Sequence, residues 1–257
     1  NPDHEAALPV ARAAGCDMVV NVTLDSSFGL TGVFAGELDK AHRAAFDKLR
    51  TYAAIPFQQK YELVITHAGY VGINHYQAAK GGLVCAPLVK NESLCVLGAH
   101  HTDKDPIGSD NYKKMLKILD KAGSEKFDQN ILDPSWKFVP DQWEAQMWTR
   151  LLNKISPQNL LYCCLEIPDS DFSWVTGKNA RAITGENGSL RNLMNRTIDW
   201  AVTKLRERLG HDPPTAVLPD GPYGIPLLES NLDLDRSSKL HEDGREEETL
   251  SLRHLLC

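Results

Sequence analysis

The sequence has 257 residues, which is enough for one large or two small domains with hydrophobic cores. A formal net charge of -6 and a pI near 5.8 argue against a protein that binds nucleic acid or an anionic membrane through its overall charge. No apolar run approaches the ~20 residues of a membrane span, and no basic-then-apolar leader opens the sequence. We therefore expect a soluble, cytoplasmic protein that interacts with neither nucleic acid nor a membrane.

The first segment, residues 1–55, predicts a helix, a β-hairpin and a second helix. An Asn-Pro pair followed by acidic residues is typical of a helix start, and this helix should end near Ala14. The valine-rich stretch 17–24 and the stretch 30–34 flank a turn, which predicts the two strands of the hairpin. Helical spacing resumes over 40–52.

Residues 56–228 predict alternating strands and helices. A domain boundary is expected over 54–60, where Pro56 and polar residues interrupt both periodicities. Four alternations with short connections favour an α/β class, with a mostly parallel sheet sandwiched between helices. The predicted strands are 62–66, 94–98, 160–166 and 215–218, and the predicted helices are 74–83, 111–122, one from the Asp141 cap to the Pro157 stop, and 193–209.

One predicted helix carries large apolar side chains at every fourth position. Trp143, Met147, Leu151 and Ile155 recur at this spacing, which predicts a stripe that faces the core. Trp148 is also expected to pack in the core.

The cysteines favour reduced, buried thiols. The sequence has six, and no two of them form a Cys-x-x-Cys pair. Four lie in apolar stretches of a sequence without a leader, which argues against a disulfide or zinc framework. These four are Cys85, Cys95, Cys163 and Cys164.

The last stretch, 229–257, differs in composition from the rest. It carries dense acidic and basic residues and only scattered leucines. Such a segment buries too little apolar surface to offset the entropy lost on ordering. We predict a disordered, charged tail.

The richest candidate site is the stretch 66–80, where a buried strand ends, a glycine-containing loop follows and a helix starts at Asn74. Ligands of α/β sheets bind beyond the carboxyl ends of strands, and a helix N-terminus favours an anion. Tyr76, Gln77 and Lys80 can share one helix face. A phenol, an amide and an ammonium directed at one spot suit a carboxylate or hydroxy acid. The same spacing is also typical of a face on which Gln77 and Lys80 are simply solvated.

The remaining histidines favour structural roles. His100 and His101 precede two aspartates, but adjacent histidines point in different directions and loop carboxylates are usually hydrated. We therefore expect a solvated loop and no metal site there. His67 and His75 flank the glycine loop and could contact a substrate, but histidines in such loops are more commonly satisfied by neighbouring hydrogen-bond partners, which is what we expect here. The sequence contains neither a phosphate-binding loop motif nor the Gly-x-Ser-x-Gly motif of hydrolases.

The stretch around Asn74 resembles the nickel-dependent lactate racemases. The C-terminal region of this family has a strand, a glycine-rich loop and an Asn-x-Tyr-Gln-x-x-Lys helix start. Asn74, Tyr76, Gln77 and Lys80 match that pattern residue by residue. The resemblance extends over about residues 1–228. Its other segments are Asn1-Pro2-Asp3-His4-Glu5, Val20-Asn21-Val22, Gly32-Val33-Phe34-Ala35-Gly36 with Ala41-His42-Arg43, Asp141-Gln142-Trp143, and Leu218-Pro219-Asp220-Gly221 with Pro226.

The resemblance implies a racemase or epimerase that inverts the C2 centre of a small, lactate-like 2-hydroxy acid. In this family a nickel pincer nucleotide tethered to a lysine takes a hydride from C2, while a histidine accepts the hydroxyl proton. Tyr76, Gln77 and Lys80 are then substrate-binding residues. Residues 1–55 are the end of the N-terminal, cofactor-bearing domain, and residues 56–228 are the C-terminal α/β domain.

The sequence departs from the family at its start. The family's proton-transfer histidines, tethering lysine and nickel-binding histidine lie upstream of the Asn-Pro segment with which this sequence begins. We therefore assign no residue to catalysis, cofactor attachment or metal binding, and expect an upstream N-terminal domain of the same enzyme as the partner. These residues alone are expected to be inactive. Two other functions stay open: a non-catalytic carboxylate-binding module, and a dehydrogenase, which the lack of a Gly-x-Gly-x-x-Gly motif disfavours.

Overall fold

A computed structural model describes residues 2–25 and 27–228, without the side chains of residues 2–4. The tail predicted over 229–257 lies outside the described residues. The helices are α1 Pro2–Ala14, α2 Leu38–Ala53, α3 His75–Leu83, α4 Asp110–Ala122, α5 Ser124–Leu132, α6 Gln142–Leu152, α7 Ala180–Thr184 and α8 Leu190–Leu209. The strands are β1 Val19–Leu24, β2 Leu30–Gly36, β3 Ala54–Phe57, β4 Tyr61–His67, β5 Val89–Gly98, β6 Leu160–Cys163, β7 Lys178–Asn179, β8 Thr215–Val217 and β9 Ile225–Leu228.

Strands β1 and β2 form the predicted antiparallel hairpin, with Val22 opposite Val33. Asp25 shapes the turn, because its Oδ1 accepts hydrogen bonds from the N–H groups of Ser27 and Gly29, each at 2.8 Å. Helix α2 packs against the hairpin. Side chains alternate between the two faces of a strand, and a row of apolar side chains on the hairpin is exposed. These are Val20, Val22, Leu24, Leu30 and Val33.

Strands β3 and β9 form a parallel pair that the sequence did not predict. Ile55 lies opposite Pro226, and Phe57 lies opposite Leu228. Strand β3 thus occupies part of the stretch 54–60, where we expected both periodicities to be interrupted. The pair joins residues that are far apart in sequence and places the last described strand beside the start of the α/β domain.

A parallel sheet of five strands, in the order β7-β6-β5-β4-β8, forms the centre of the α/β domain. Successive residues point to opposite faces, so that Leu63 and Val64 of β4 belong to two different hydrophobic clusters. The cluster of Leu63 includes Leu193 and Ala201 of α8. The cluster of Val64 includes residues of α3, α4, α5 and α6, among them Trp148. The predicted α/β sandwich is confirmed.

Several element bounds differ from the prediction. Helix α2 begins at Leu38 rather than residue 40, because Glu37 caps it and accepts hydrogen bonds from the N–H groups of the first turn. Strand β6 ends at Cys163 rather than Glu166, since the Glu166 carboxylate accepts the Leu165 N–H at 3.2 Å and draws the backbone into a loop. Helices α5 and α7 and strand β7 were not predicted.

The cysteines and the helix lengths can be compared with the sequence predictions. The four cysteines in apolar stretches are buried and free, as predicted, whereas Cys16 is exposed. Within the described ranges, no helix has the length and apolar character needed to cross a membrane.

Candidate functional site

Helix α3 begins at the carboxyl edge of the parallel sheet, where the sequence predicted a site. Asn74 precedes the helix in an extended conformation, and its Oδ1 accepts a hydrogen bond from the Gln77 N–H at 2.9 Å. Its Nδ2 donates to Asp103 Oδ2 at 2.8 Å. Asn74 therefore fixes the helix start to the loop that follows β5, and Gln77 lies in the first turn as predicted.

The loop between β4 and α3 requires glycine where an aromatic residue crosses it. Gly69 has a φ of 65°, and a Cβ there would lie 2.5 Å from the hydroxyl oxygen of Tyr223. The same hydroxyl accepts a hydrogen bond from the Val71 N–H at 3.2 Å. Tyr70 stacks on the Tyr223 ring with the centroids 5.0 Å apart. The segment after β8 thereby holds the loop in place.

The three predicted substrate-binding residues on α3 are all half-buried. Lys80 Nζ donates a hydrogen bond to Gln77 Oε1. Tyr76 packs edge-on against Tyr112 and Trp143, with ring centroids 5.1 and 5.6 Å apart. Burial and nearby carboxylates raise the pKa of Tyr76 to about 12. Its phenol therefore stays protonated near neutral pH and can donate a hydrogen bond.

A buried carboxylate that the sequence analysis missed lies beside Lys80. The Glu144 side chain on α6 is fully buried, and its Oε1 is 3.7 Å from Lys80 Nζ. Neither carboxylate oxygen has a hydrogen-bond partner among the described residues. Burial raises the pKa of Glu144 to about 7, although the Lys80 ammonium opposes this effect. Near neutral pH the ionised and protonated forms of Glu144 are therefore close in free energy.

The buried stripe of α6 matches the predicted one only in part, because Leu151 is buried as predicted but the first turn of the helix buries a different residue. Glu144, Trp148 and Leu151 are fully buried, whereas Trp143 is 49% exposed. The prediction that Trp143 packs in the core was wrong, because it lies beside the stripe and contacts Tyr76 at its edge. The prediction for Trp148 is confirmed.

Close packing of α6 on α3 brings Glu144 to Lys80. A Cβ on Gly82 would lie 2.5 Å from the ring of Trp148, so a side chain here would push the two helices apart. Glu144 precedes Trp148 by one helical turn and lies on the same face of α6. The sequence contained this signal, since Glu144, Trp148 and Leu151 follow helical spacing.

His75 is a structural histidine in a buried hydrogen-bond network. Its Nε2 lies 3.0 Å from the carbonyl oxygen of Thr176, and its Nδ1 lies 2.8 Å from the Tyr112 hydroxyl. Because a carbonyl can only accept, Nε2 carries the proton and Nδ1 accepts from Tyr112. Trp148 Nε1 donates to the same hydroxyl at 2.8 Å. Burial lowers the pKa of His75 to about 3, so the ring is neutral.

His67, at the end of β4, is also satisfied, as expected. Its Nδ1 accepts a hydrogen bond from the Gly69 N–H at 3.0 Å. Its Nε2 therefore carries the proton and donates to the carbonyl oxygen of Pro219 at 2.7 Å.

The loop after β5 differs from the solvated loop that we expected. His100 is exposed, and its Nδ1 lies 2.8 Å from Glu166 Oε1. His101 is buried, contrary to the prediction, because it links the glycine loop to the sheet. Its Nδ1 lies 2.8 Å from the carbonyl oxygen of Gly72, and its Nε2 lies 3.0 Å from the Tyr162 hydroxyl. Burial lowers the pKa of His101.

Several known proteins are similar to this chain in sequence. Residues 58–160 match the family described as the lactate racemase C-terminal domain. A lactate racemase from Lactiplantibacillus plantarum is 29% identical over 225 residues, which are 86% of this chain and 47% of that protein. A lactate racemase from Thermoanaerobacterium thermosaccharolyticum is 26% identical over 160 residues, which are 59% of this chain and 35% of that protein.

A solved structure shares the fold. The lactate racemase apoprotein from Thermoanaerobacterium thermosaccharolyticum superposes with a TM-score of 0.68 at 20% identity, over 88% of this chain and 50% of that chain. The chain thus spans about half, or less, of the relatives it matches. The parallel sheet and its two helical layers define an α/β domain. Helix α3 of this domain carries a polar cluster, formed by Tyr76, Gln77 and Lys80. Residues 58–160 are thus similar to the lactate racemase C-terminal domain, as the motif from Asn74 to Lys80 implied.

Proposed function

We propose that this chain supplies the substrate-orienting part of a racemase or epimerase that inverts the C2 centre of a small, lactate-like 2-hydroxy acid. The observation that carries the proposal is the contact between Lys80 and Gln77 on α3, inside the region that matches the lactate racemase C-terminal domain. The reaction itself is proposed for a longer protein, because the chain spans about half or less of its relatives.

Lys80 and Gln77 are suited to hold the carboxylate or hydroxyl of a hydroxy acid. The Lys80 side chain is 37% exposed, so its ammonium can be reached from solvent and can form a charge-assisted hydrogen bond. Gln77 Oε1 already accepts a hydrogen bond from Lys80, which leaves the two amide N–H donors for a substrate oxygen. The ammonium would attract the anion, and the amide would orient it.

Tyr76 would complete the site as a neutral donor. Its ring is held edge-on between Tyr112 and Trp143. Because its pKa is raised to about 12, the phenol can donate a hydrogen bond to a substrate oxygen without adding negative charge. All three proposed substrate contacts would therefore favour oxygen atoms that carry charge or lone pairs.

The resemblance implies a nickel pincer nucleotide, whose chemistry would be to accept the hydride from C2. Among the side chains that the structure describes, those of residues 5–25 and 27–228, no three from His, Cys, Asp or Glu are grouped as a metal site built from protein ligands would require. We assign no residue of this chain to holding this group and no step of the reaction to it. We propose that the proton-transfer and cofactor-holding residues belong to an N-terminal domain of the longer protein.

The exposed face of the β1–β2 hairpin supports such a partner domain. Contiguous apolar side chains at a protein surface are typical of a region that another unit covers. We propose that the rest of the N-terminal domain packs on this face. Residues 1–55 would then form the end of that domain, and residues 56–228 would form the C-terminal domain. The apolar row is formed by Val20, Val22, Leu24, Leu30 and Val33.

The test is racemisation of lactate by a cofactor-loaded, longer protein that carries this chain. Lys80→Ala should lower kcat/KM at least tenfold, since loss of a charge-assisted hydrogen bond costs about 1.5–3 kcal/mol. Lys80→Arg should not fully restore it, because a planar guanidinium does not replace a point charge. Lys114→Ala, in an exposed part of α4, is the matched control and should keep wild-type kinetics. Wild-type kinetics in both Lys80→Ala and Gln77→Ala would contradict the assignment of this site.

A second candidate is a non-catalytic module that binds carboxylates, because the Lys80 ammonium and the Gln77 amide on their own would suit such a ligand. Both functions predict lactate binding and its loss in Lys80→Ala. They differ when an N-terminal domain with its cofactor is supplied, because only the racemase then interconverts the two lactate enantiomers. A chiral assay of this reconstituted protein decides between them.

A further inference from the structure

The Glu144 carboxylate and a substrate carboxylate would share one cation. Glu144 Oε1 is 3.7 Å from Lys80 Nζ, and Lys80 is the residue to which we assign the substrate anion. Two carboxylates around one ammonium leave an excess negative charge. Because the Glu144 side chain is fully buried, water cannot screen that charge well. Tight binding of an anion therefore requires that another group in the site lose its negative charge.

The other described groups that face Glu144 do not supply positive charge. Tyr76 on α3 and Tyr112 on α4 are phenols whose pKa values are raised, and each senses the Glu144 charge. Asp141, directly before α6, adds a further carboxylate. On α5, which also packs against α6, Asp128 is a carboxylate that accepts hydrogen bonds from the far end of α6.

Protonation of Glu144 is the compensation that the packing favours. The side chain cannot turn to solvent without opening the α3–α6 contact, where Trp148 lies directly over Gly82. Neither of its oxygens has a hydrogen-bond partner in the described part of the chain, so the ionised form lacks the donors that usually stabilise a buried charge. Burying the neutral acid costs less free energy than burying the carboxylate. A pKa of about 7 for Glu144 is consistent with this difference.

We propose that binding of a substrate carboxylate at Lys80 is coupled to the uptake of one proton by Glu144. In the empty site the Lys80 ammonium is balanced by the Glu144 carboxylate. In the occupied site it is balanced by the substrate carboxylate, and Glu144 is a neutral acid. One anion and one proton enter together, so the net charge of the site is conserved. The inference rests on the proposed role of Lys80 and makes Glu144 a positioning residue that acts through Lys80.

The linkage can be measured on this chain with L-lactate as the probe. Above pH 7 the affinity for lactate should fall by up to about tenfold per pH unit, because each bound anion must bring a proton. Calorimetric titrations at pH 8, in two buffers with different ionisation enthalpies, should show uptake of about one proton per lactate. Glu144→Gln should bind lactate with a pH-independent affinity close to that of the wild type at pH 6. Glu125→Gln, an exposed carboxylate of α5, should behave like the wild type.

The possible outcomes distinguish a failure of the proton linkage from a failure of the substrate site. Wild-type binding whose affinity and proton uptake stay constant between pH 6 and 8.5 would overturn the proton linkage and leave the substrate site standing. The same holds if Glu144→Gln keeps the wild-type pH dependence. No lactate binding at any pH, with Lys80→Ala indistinguishable from wild type, would overturn the site and the linkage together. If Glu144→Gln does not fold, the two-buffer calorimetry on the wild type decides alone.

Discussion

Replacing Glu144 by glutamine should change how the stability of the fold depends on pH. An acid whose folded pKa is raised above its unfolded value stabilises the fold fully below the unfolded pKa, and this contribution is lost as the pH rises through the folded pKa. For Glu144 the window runs from 4.5 to about 7. Across this window the wild type should lose stability relative to Glu144→Gln, whose amide has no charge to bury.

The expected loss is about 3 kcal/mol. A rise in the pKa of Glu144 from 4.5 to about 7 gives this magnitude, because one pKa unit corresponds to about 1.4 kcal/mol. The side chain is fully buried, so no discount for solvent screening applies. Part of this loss has already occurred at pH 5, so that Glu144→Gln should gain about 2.5 kcal/mol of stability relative to the wild type between pH 5 and pH 8.

Urea unfolding followed by tryptophan fluorescence at pH 5 and pH 8 measures this difference. Equal slopes against denaturant in both proteins would show that the compared states are the same. Glu125→Gln, in an exposed position, serves as the control and should follow the wild-type pH profile. Parallel pH profiles for wild type and Glu144→Gln would refute the reasoning that burial raises the pKa of Glu144.

Lys80→Met should raise the pKa of Glu144 further, because it removes the ammonium that opposes burial. A carboxyl ¹³C NMR titration measures this, and an unchanged pKa would mean that the two side chains do not interact. Gly82→Val should destabilise the fold by about 1–3 kcal/mol through overpacking against Trp148, and wild-type urea unfolding would show that α6 moves away freely. His75 has a folded pKa depressed from 6.5 to about 3, so its contribution to stability is present above 6.5 and is lost as the pH falls towards 3. Imidazole NMR shifts of His75 that titrate near pH 6.5 would contradict the buried network.

Elements with their own local signals were predictable from the sequence. Asn74 caps α3 through a hydrogen bond to a residue of the first turn. Gly210 ends α8 with a φ of 75°, which glycine adopts without strain. The β1–β2 hairpin follows from a turn with serine and glycine between a valine-rich run and a second stretch that includes Thr31, Val33 and Phe34. In each case the information lies within a few residues, so no knowledge of the tertiary structure is needed.

Pairings between distant segments were not predictable in the same way. Strand β3 has four residues, one of them Pro56, and it is recognisable as a strand through its partner β9 at the other end of the described chain. Strand β7 has two residues, which is too few for any periodicity. Tertiary context decides such elements, and local propensity carries little information about them.

The same distinction between local signals and contacts of distant segments applies to the candidate site. Tyr76, Gln77 and Lys80 lie on one helix, so their spacing alone predicted that they share a face, and the resemblance to the lactate racemases made that face a candidate substrate site. Glu144 joins them through the packing of α6 on α3. A count of apolar residues treats a glutamate as an interruption, and it therefore placed the buried stripe on Trp143 instead of Glu144. Buried charges at functional positions break the pattern on which such counts depend.

The parallel pairing of β3 and β9 has a mechanical consequence. The chain enters the α/β domain through β3, and its described part leaves through β9, with both strands running in the same direction side by side. A force that pulls these two ends apart therefore acts in opposite directions along the two strands. It loads the backbone hydrogen bonds between them together, in shear, and does not peel them open one after another. The pair thus shields the sheet and the polar cluster on α3 from tension until the two strands slide past each other.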